Sequence, residues 1–150
     1  MPHQEYMPFN SYFGAEAFVT PTEVLAARAA HALGAYDYDT MVGTGLSGAL
    51  VVPLLARALG KHFAIVRKDA ESTHSCNQIE GRIGRRWVFV DDFIVSGTTF
   101  SRVWQAVKKY TDGAWRTELV ATYEYHHWDD SNYGVTPGHF MADCFGDRVA

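Results

Sequence analysis

Asp91 and Asp92 are adjacent carboxylates, and four residues past Asp92 begins Ser96-Gly97-Thr98-Thr99, a run of small and hydroxyl-bearing side chains. Paired acids accept hydrogen bonds from a sugar diol and suit a hard cation. A turn of small residues that opens a helix offers backbone N–H groups and a helix dipole to an anion. The two features together describe a site for a sugar phosphate. Their flanks supply the scaffold. Val88-Phe89-Val90 is a short apolar run of strand-forming residues ending at the acids, as a buried strand does. Phe100, Val103, Trp104 and Val107 recur at i, i+3, i+4 and i+7, the spacing of an amphipathic helix.

This stretch, from Val88 to Thr99, resembles the phosphoribosyl-pyrophosphate (PRPP) signature of the type I phosphoribosyltransferases. That pattern is an apolar run, acid-Asp, two apolar residues, a variable residue, Ser/Thr/Ala, Gly, any residue and Ser/Thr. The resemblance implies catalytic and metal-binding roles for Asp91 and Asp92, with Mg²⁺ near them or reached through water. It implies substrate contacts from Phe93, Val95, Ser96, Gly97, Thr98 and Thr99. Where hypoxanthine and guanine enzymes carry an Asp that handles the purine N7 proton, this chain has Val95, which cannot do so. Adenine and orotate remain open.

A second set of pieces lies upstream. Gly43-Thr44-Gly45-Leu46-Ser47-Gly48 fits G-x-G-x-x-G, the glycine fingerprint of dinucleotide-binding folds, with Arg67 placed to meet a 2′-phosphate. It also fits the first half of a P-loop, but Ala49 stands where that motif needs Lys. In type I phosphoribosyltransferases the same position carries the pyrophosphate loop. The resemblance therefore gives Thr44, Gly45, Leu46 and Ser47 to pyrophosphate, with a strained cis peptide at Thr44–Gly45. Ile65-Val66-Arg67-Lys68 resembles the family strand that ends in Arg-Lys, which gives Arg67 and Lys68 the same partner. Ile79-Glu80-Gly81 resembles the end of the mobile loop of orotate enzymes. The loop lysine of that subgroup falls on Glu71, and His74 is near its loop histidine but out of register.

His126-His127-Trp128-Asp129-Asp130 holds metal-ligand types at a spacing that matches no zinc signature, and a polar loop is the favoured reading. Tyr123, Tyr125, Trp128 and an aromatic arm (Tyr6, Phe9, Tyr12, Phe13, Phe18) are either hood walls around a base or hydrophobic core.

The chain has 150 residues, 47% hydrophobic and 20% charged, which predicts one globular domain over 1–150. A net charge of -4 leaves no basic footprint for nucleic acid, and no apolar run is long enough to span a bilayer. The start lacks a signal-peptide pattern, and Cys76 and Cys144 read as free thiols, so the expected compartment is the cytoplasm.

Thr20-Pro21-Thr22-Glu23 predicts a helix start with Thr20 as N-cap; Gly34 stops that helix. Strands are expected over 38–42, 62–66, 87–91 and 117–123, and one over 139–145. Helices are expected over 49–59 and 99–110, a loop over 43–48, and a lid over 69–86. The 49–59 helix is apolar on nearly every side, which predicts a homodimer. Alternating strands and helices predict a mainly parallel α/β sheet. The expected fold is that of a type I phosphoribosyltransferase, with a small hood from the terminal segments. The implied activity is displacement of pyrophosphate from PRPP by a nitrogen nucleophile such as a nucleobase. Two alternatives stand: a non-catalytic PRPP- or nucleotide-sensing regulator on the same fold, and an NADP-binding Rossmann-like domain.

Overall fold

A computed structural model describes residues 15–68, 77–112, 116–126 and 134–147. Its strands are β1 (Thr40–Thr44), β2 (His62–Val66), β3 (Ile79–Gly81), β4 (Arg86–Asp91), β5 (Glu118–Glu124) and β6 (Val135–Pro137). Its helices are α1 (Ala15–Val19), α2 (Thr22–Ala32), α3 (Gly45–Ala58), α4 (Thr98–Thr111) and α5 (Gly138–Phe145). The strands form one sheet in the order β3-β2-β1-β4-β5-β6. β1, β2, β4 and β5 are parallel, and the short edge strands β3 and β6 are antiparallel.

Side-chain alternation along the strands feeds two cores. Met41, Val88 and Val90 pack with Leu25 and Ala29 of α2 and Val51, Val52 and Leu55 of α3. Val42, Trp87 and Phe89 point to the other face, against Phe100, Val103 and Val107 of α4 and Met141 of α5. Phe89 and Phe100 meet edge to face with ring centroids 5.8 Å apart. Burying each such ring stabilises the fold by about 1.5–3 kcal/mol. α3 leaves β1 toward β2 on one face, and α4 leaves β4 toward β5 on the other. The connections therefore diverge between β1 and β4, and the crevice outside their carboxyl ends is a topological switch point.

Several expectations are corrected. The first core strand starts at Thr40 rather than 38, because Tyr38 is instead buried beneath the sheet end, its carbonyl accepting from Lys61 Nζ at 2.8 Å. Residues 43–48 are not a loop: β1 runs through Thr44 and α3 begins at Gly45. The reason is packing. A Cβ on Gly43 would lie 2.7 Å from Val52 Cγ2 and 3.1 Å from Gly48 Cα, so two of the three glycines let helix and strand touch. Gly45 makes the turn itself at φ 67°, and no described peptide bond is cis, Thr44–Gly45 included. Pro21, not Thr20, is the N-cap of α2. Residues 139–145 lie in a helix: Pro137 ends β6 and is the N-cap of α5, which begins at Gly138. Part of the expected lid, Ile79–Gly81, is the edge strand β3, and its last residue, Arg86, opens β4; residues 69–76 of it lie outside the described residues, as do 1–14 and 127–133. Among the described residues no helix is long and apolar enough to cross a membrane.

Candidate active site

The switch-point crevice holds a cavity of about 420 Å³ lined by Thr44, Gly45, Leu46, Ser47, Lys68, Asp91, Asp92, Phe93, Val95 and Thr99, together with Phe18, Leu50 and Arg102. The structure thus brings both halves of the expected site around one space. Of the expected residues, Arg67, Ser96, Gly97 and Thr98 do not line it.

Asp91 ends β4 and is buried. Its Oδ1 accepts from the Asp92 N–H at 2.9 Å, and Asp92 Oδ1 accepts from the Phe93 N–H at 2.8 Å. β5 holds this tip from the side: the Tyr125 N–H donates to the Asp91 carbonyl at 3.0 Å and His126 N–H to that of Asp92 at 3.3 Å. Glu124, which pairs with Asp91 in the sheet register, accepts from the Ile94 N–H at 3.3 Å. Burial pushes the Asp91 carboxyl up to about 8, and the hydrogen bond and negative charge of Asp92 add to it. Burial also raises Glu124, again with Asp92 pushing the same way. The charged neighbours that act on Asp91 are acids, so the tip crowds carboxyl groups together and holds Asp91 toward its protonated form.

That donor set fits a hard dication. Asp91, held toward its protonated state, would exchange a proton for Mg²⁺, and Mg²⁺ is commonly held by one or two carboxylates plus ligand oxygens. No group of three His, Cys, Asp or Glu that could hold a metal occurs among the described residues, so Asp91 and Asp92 would supply the protein's share.

Beyond the acids the chain turns through exposed Val95 and Ser96 into α4. Ser96 Oγ accepts from the Thr98 N–H at 3.3 Å and donates to Thr98 Oγ1 at 3.0 Å. Gly97 is the N-cap of α4, in the left-handed conformation at φ 77°. α5 braces it: a Cβ on Gly97 would sit 2.5 Å from Phe145 Cδ1, and the Ser101 hydroxyl donates to the Gly146 carbonyl at 2.9 Å. The last helix therefore supports the turn, a role invisible while 139–145 read as a strand.

On the β1–α3 side, Thr44 Oγ1 donates to the Val66 carbonyl at 2.7 Å, so its hydroxyl is committed to the sheet. Lys68 Cε lies 3.7 Å from where a Gly45 Cβ would stand, which lays the lysine stem across the glycine turn. Arg67 instead turns to β3 and pairs with Glu80 at 2.9 Å. Tyr123 and Tyr125 are buried in the core beneath α2 and α3, not in a hood; Tyr125 Oη donates to the Ser47 carbonyl at 3.4 Å. Of the expected metal-like run only His126 is described; 127–130 are outside the described residues.

Sequence reasoning missed Arg102, Leu50 and Glu124. Arg102 was legible as the residue three past Thr99, on the same helix face. Glu124 follows Tyr123 at a strand end beside the acids, and only the sheet register brings it to them.

A PRTase-CE family model matches residues 20–130. The orotate phosphoribosyltransferase of Halobacterium salinarum is 35% identical over 83 residues, 53% of this chain and 47% of that protein. The chain thus spans about half the length of that relative. Among solved structures, Mycobacterium tuberculosis orotate phosphoribosyltransferase in complex with PRPP superposes with a TM-score of 0.55 at 20% identity, over 69% of this chain and 58% of that one. Saccharomyces cerevisiae adenine phosphoribosyltransferase, complexed with an imino-altritol bisphosphate and adenine, gives 0.51 at 22% identity, over 69% and 63%. These likenesses are to the fold. With its family model running from the start of α2 past the end of β5, the chain belongs to the type I phosphoribosyltransferases, as a PRTase-CE member.

Proposed function

We propose that the chain transfers the phosphoribosyl group of PRPP to a nitrogen nucleophile, with a nucleobase as the acceptor class and Mg²⁺ as cofactor. The observation that carries this reading is the separation of charge in one cavity. Asp91 and Asp92 follow β4, Lys68 and the glycine turn follow the neighbouring strands β2 and β1, Thr99 and Arg102 sit on α4, and all of them line the one cavity. A ligand with anionic groups at both ends and a diol between them matches that order. PRPP is such a ligand, and the Mycobacterium tuberculosis relative in fold was solved with it.

In this reading the 96–99 turn holds the 5-phosphate through backbone N–H groups. Asp91 and Asp92 accept from the ribose hydroxyls and stabilise the positive charge that grows at C1 as the C1–O bond to pyrophosphate breaks. Lys68 faces the departing anion. Mg²⁺, when bound, neutralises pyrophosphate charge. Fixing both ends of the ribose leaves C1 exposed to an acceptor held against Phe93 and Val95, so positioning supplies much of the rate. Val95 offers that acceptor no proton-transfer group.

The regulator reading keeps one specific support: Arg67 is paired with Glu80, and the Thr44 hydroxyl with Val66, so two groups expected at pyrophosphate are engaged elsewhere. Pyrophosphate release from PRPP and Mg²⁺ across a panel of nucleobases decides. Release with one base supports the transferase; tight PRPP binding with no release for any base supports the regulator. The glycine packing at β1 does not separate this reading from an NADP site, but family membership does.

We also read the chain as a homodimer. Leu46, which lines the cavity, and Leu54 are 73% and 43% exposed and lie two turns apart on α3, where a second copy would cover them. Light scattering at micromolar concentration tests this, and a monomer of 16.8 kDa would refute it. The solvent-exposed Cys144 suits a reducing cytoplasm.

A further inference from the structure

Arg102 stands apart from the other basic residues of the site. It lies on α4 three residues past Thr99, and both side chains line the cavity. Long helical side chains lean toward the helix N-terminus, which directs this guanidinium back to the 96–99 turn. Its Nε is shielded from solvent and has no hydrogen-bond acceptor among the described residues. Arg67 also has such an Nε, but its Nη2 is held by Glu80. No ion pair holds Arg102 in this way among the described residues. The charges acting on Asp91 are those of Asp92 and Glu124. A guanidinium is always charged, and a buried donor without an acceptor is costly. Its planar fork matches phosphate oxygens.

We propose that Arg102 is a substrate-binding residue that grips the phosphomonoester seated on the 96–99 turn, placing a fixed cation beside the backbone donors there. The inference rests on the phosphoribosyl reading above. It assigns the α4 side of the cavity to the phosphomonoester end of the ligand and leaves the pyrophosphate end to Lys68 and the β1–α3 turn.

The test is calorimetric titration of the wild type, Arg102→Lys and Arg102→Gln with ribose 5-phosphate and, separately, with inorganic pyrophosphate, Mg²⁺ present throughout. Arg102→Gln is expected to weaken ribose 5-phosphate by about tenfold to a hundredfold, the size of hydrogen bonds to a charged group. Arg102→Lys recovers part of that loss, as a point charge without the fork. Pyrophosphate affinity stays unchanged in all three, which also shows that the variants fold. Equal ribose 5-phosphate affinity in wild type and Arg102→Gln overturns the role of Arg102 and leaves the phosphoribosyl reading standing. Loss of pyrophosphate alone, or equal loss of both ligands with no recovery in Arg102→Lys, also overturns it. A wild type that binds neither ligand overturns both readings together.

Discussion

Replacing Gly97 with alanine strikes the 96–99 turn in two ways that can be measured apart. At φ 77° an L-residue pays roughly 1–2 kcal/mol for the left-handed backbone. The new methyl would also fall 2.5 Å from Phe145 Cδ1 and 2.8 Å from Cγ, closer than any packed carbon tolerates. Relieving it means moving the ring or α5, an overpacking cost of about 1–3 kcal/mol. Gly97→Ala should therefore lose about 2–5 kcal/mol in urea unfolding. In a Phe145→Ala background the ring is gone, and the same change should cost roughly 1–2 kcal/mol. The double-mutant cycle then returns a coupling of about 1–3 kcal/mol between residues 48 positions apart in sequence. Additive losses would refute the claim that α5 braces the turn.

Three further outcomes follow from the site. The Asp91 carboxyl titrates at about 8 when folded against an ordinary 3.8, so between those values the folded state keeps a proton that the unfolded state has released. Ligand-free stability should accordingly fall as pH rises from about 4 to about 8, and thermal melts of Asp91→Asn should show a shallower fall; an unchanged slope would place the proton elsewhere. Asp92→Asn removes a ribose acceptor and should cut PRPP turnover on the order of a hundredfold, with the fold intact by circular dichroism. Normal turnover in the folded variant would sink the ribose-binding role. Glu80→Gln releases Arg67 from a half-exposed pair of small worth, and pyrophosphate affinity should rise about two- to fivefold. Unchanged affinity would mean that Arg67 does not reach the ligand.

The β4–turn–α4 unit was legible because each part carries its own signal: an apolar run, paired acids, a small-residue turn and a 3.6-residue period. β2 was legible for the same reason, as a short apolar run between polar ends. The β1–α3 junction was misread because Gly43 and Gly48 look like loop residues whether they bend a chain or let two elements touch. Only the approach of Val52 to Gly43 tells these uses apart. Residues 139–145 carry a short apolar run that fits strand or helix equally, and Met141 is its one fully buried side chain. β3 and β6 are three residues each at sheet edges, too short to show a period. Tyr123 and Tyr125 fit hood or core until β5 fixed which face they occupy. Arg102 was passed over because a charged residue on an amphipathic helix normally faces water.

The measurement closest to the central claim is a crystal structure of the chain with ribose 5-phosphate. The phosphate is expected on the backbone N–H groups of residues 96–99, with Arg102 against it and the ribose hydroxyls on Asp91 and Asp92. A ligand seated with its phosphate at Gly45 and its hydroxyls away from the acids, or a cavity left empty at millimolar ligand, would contradict the account.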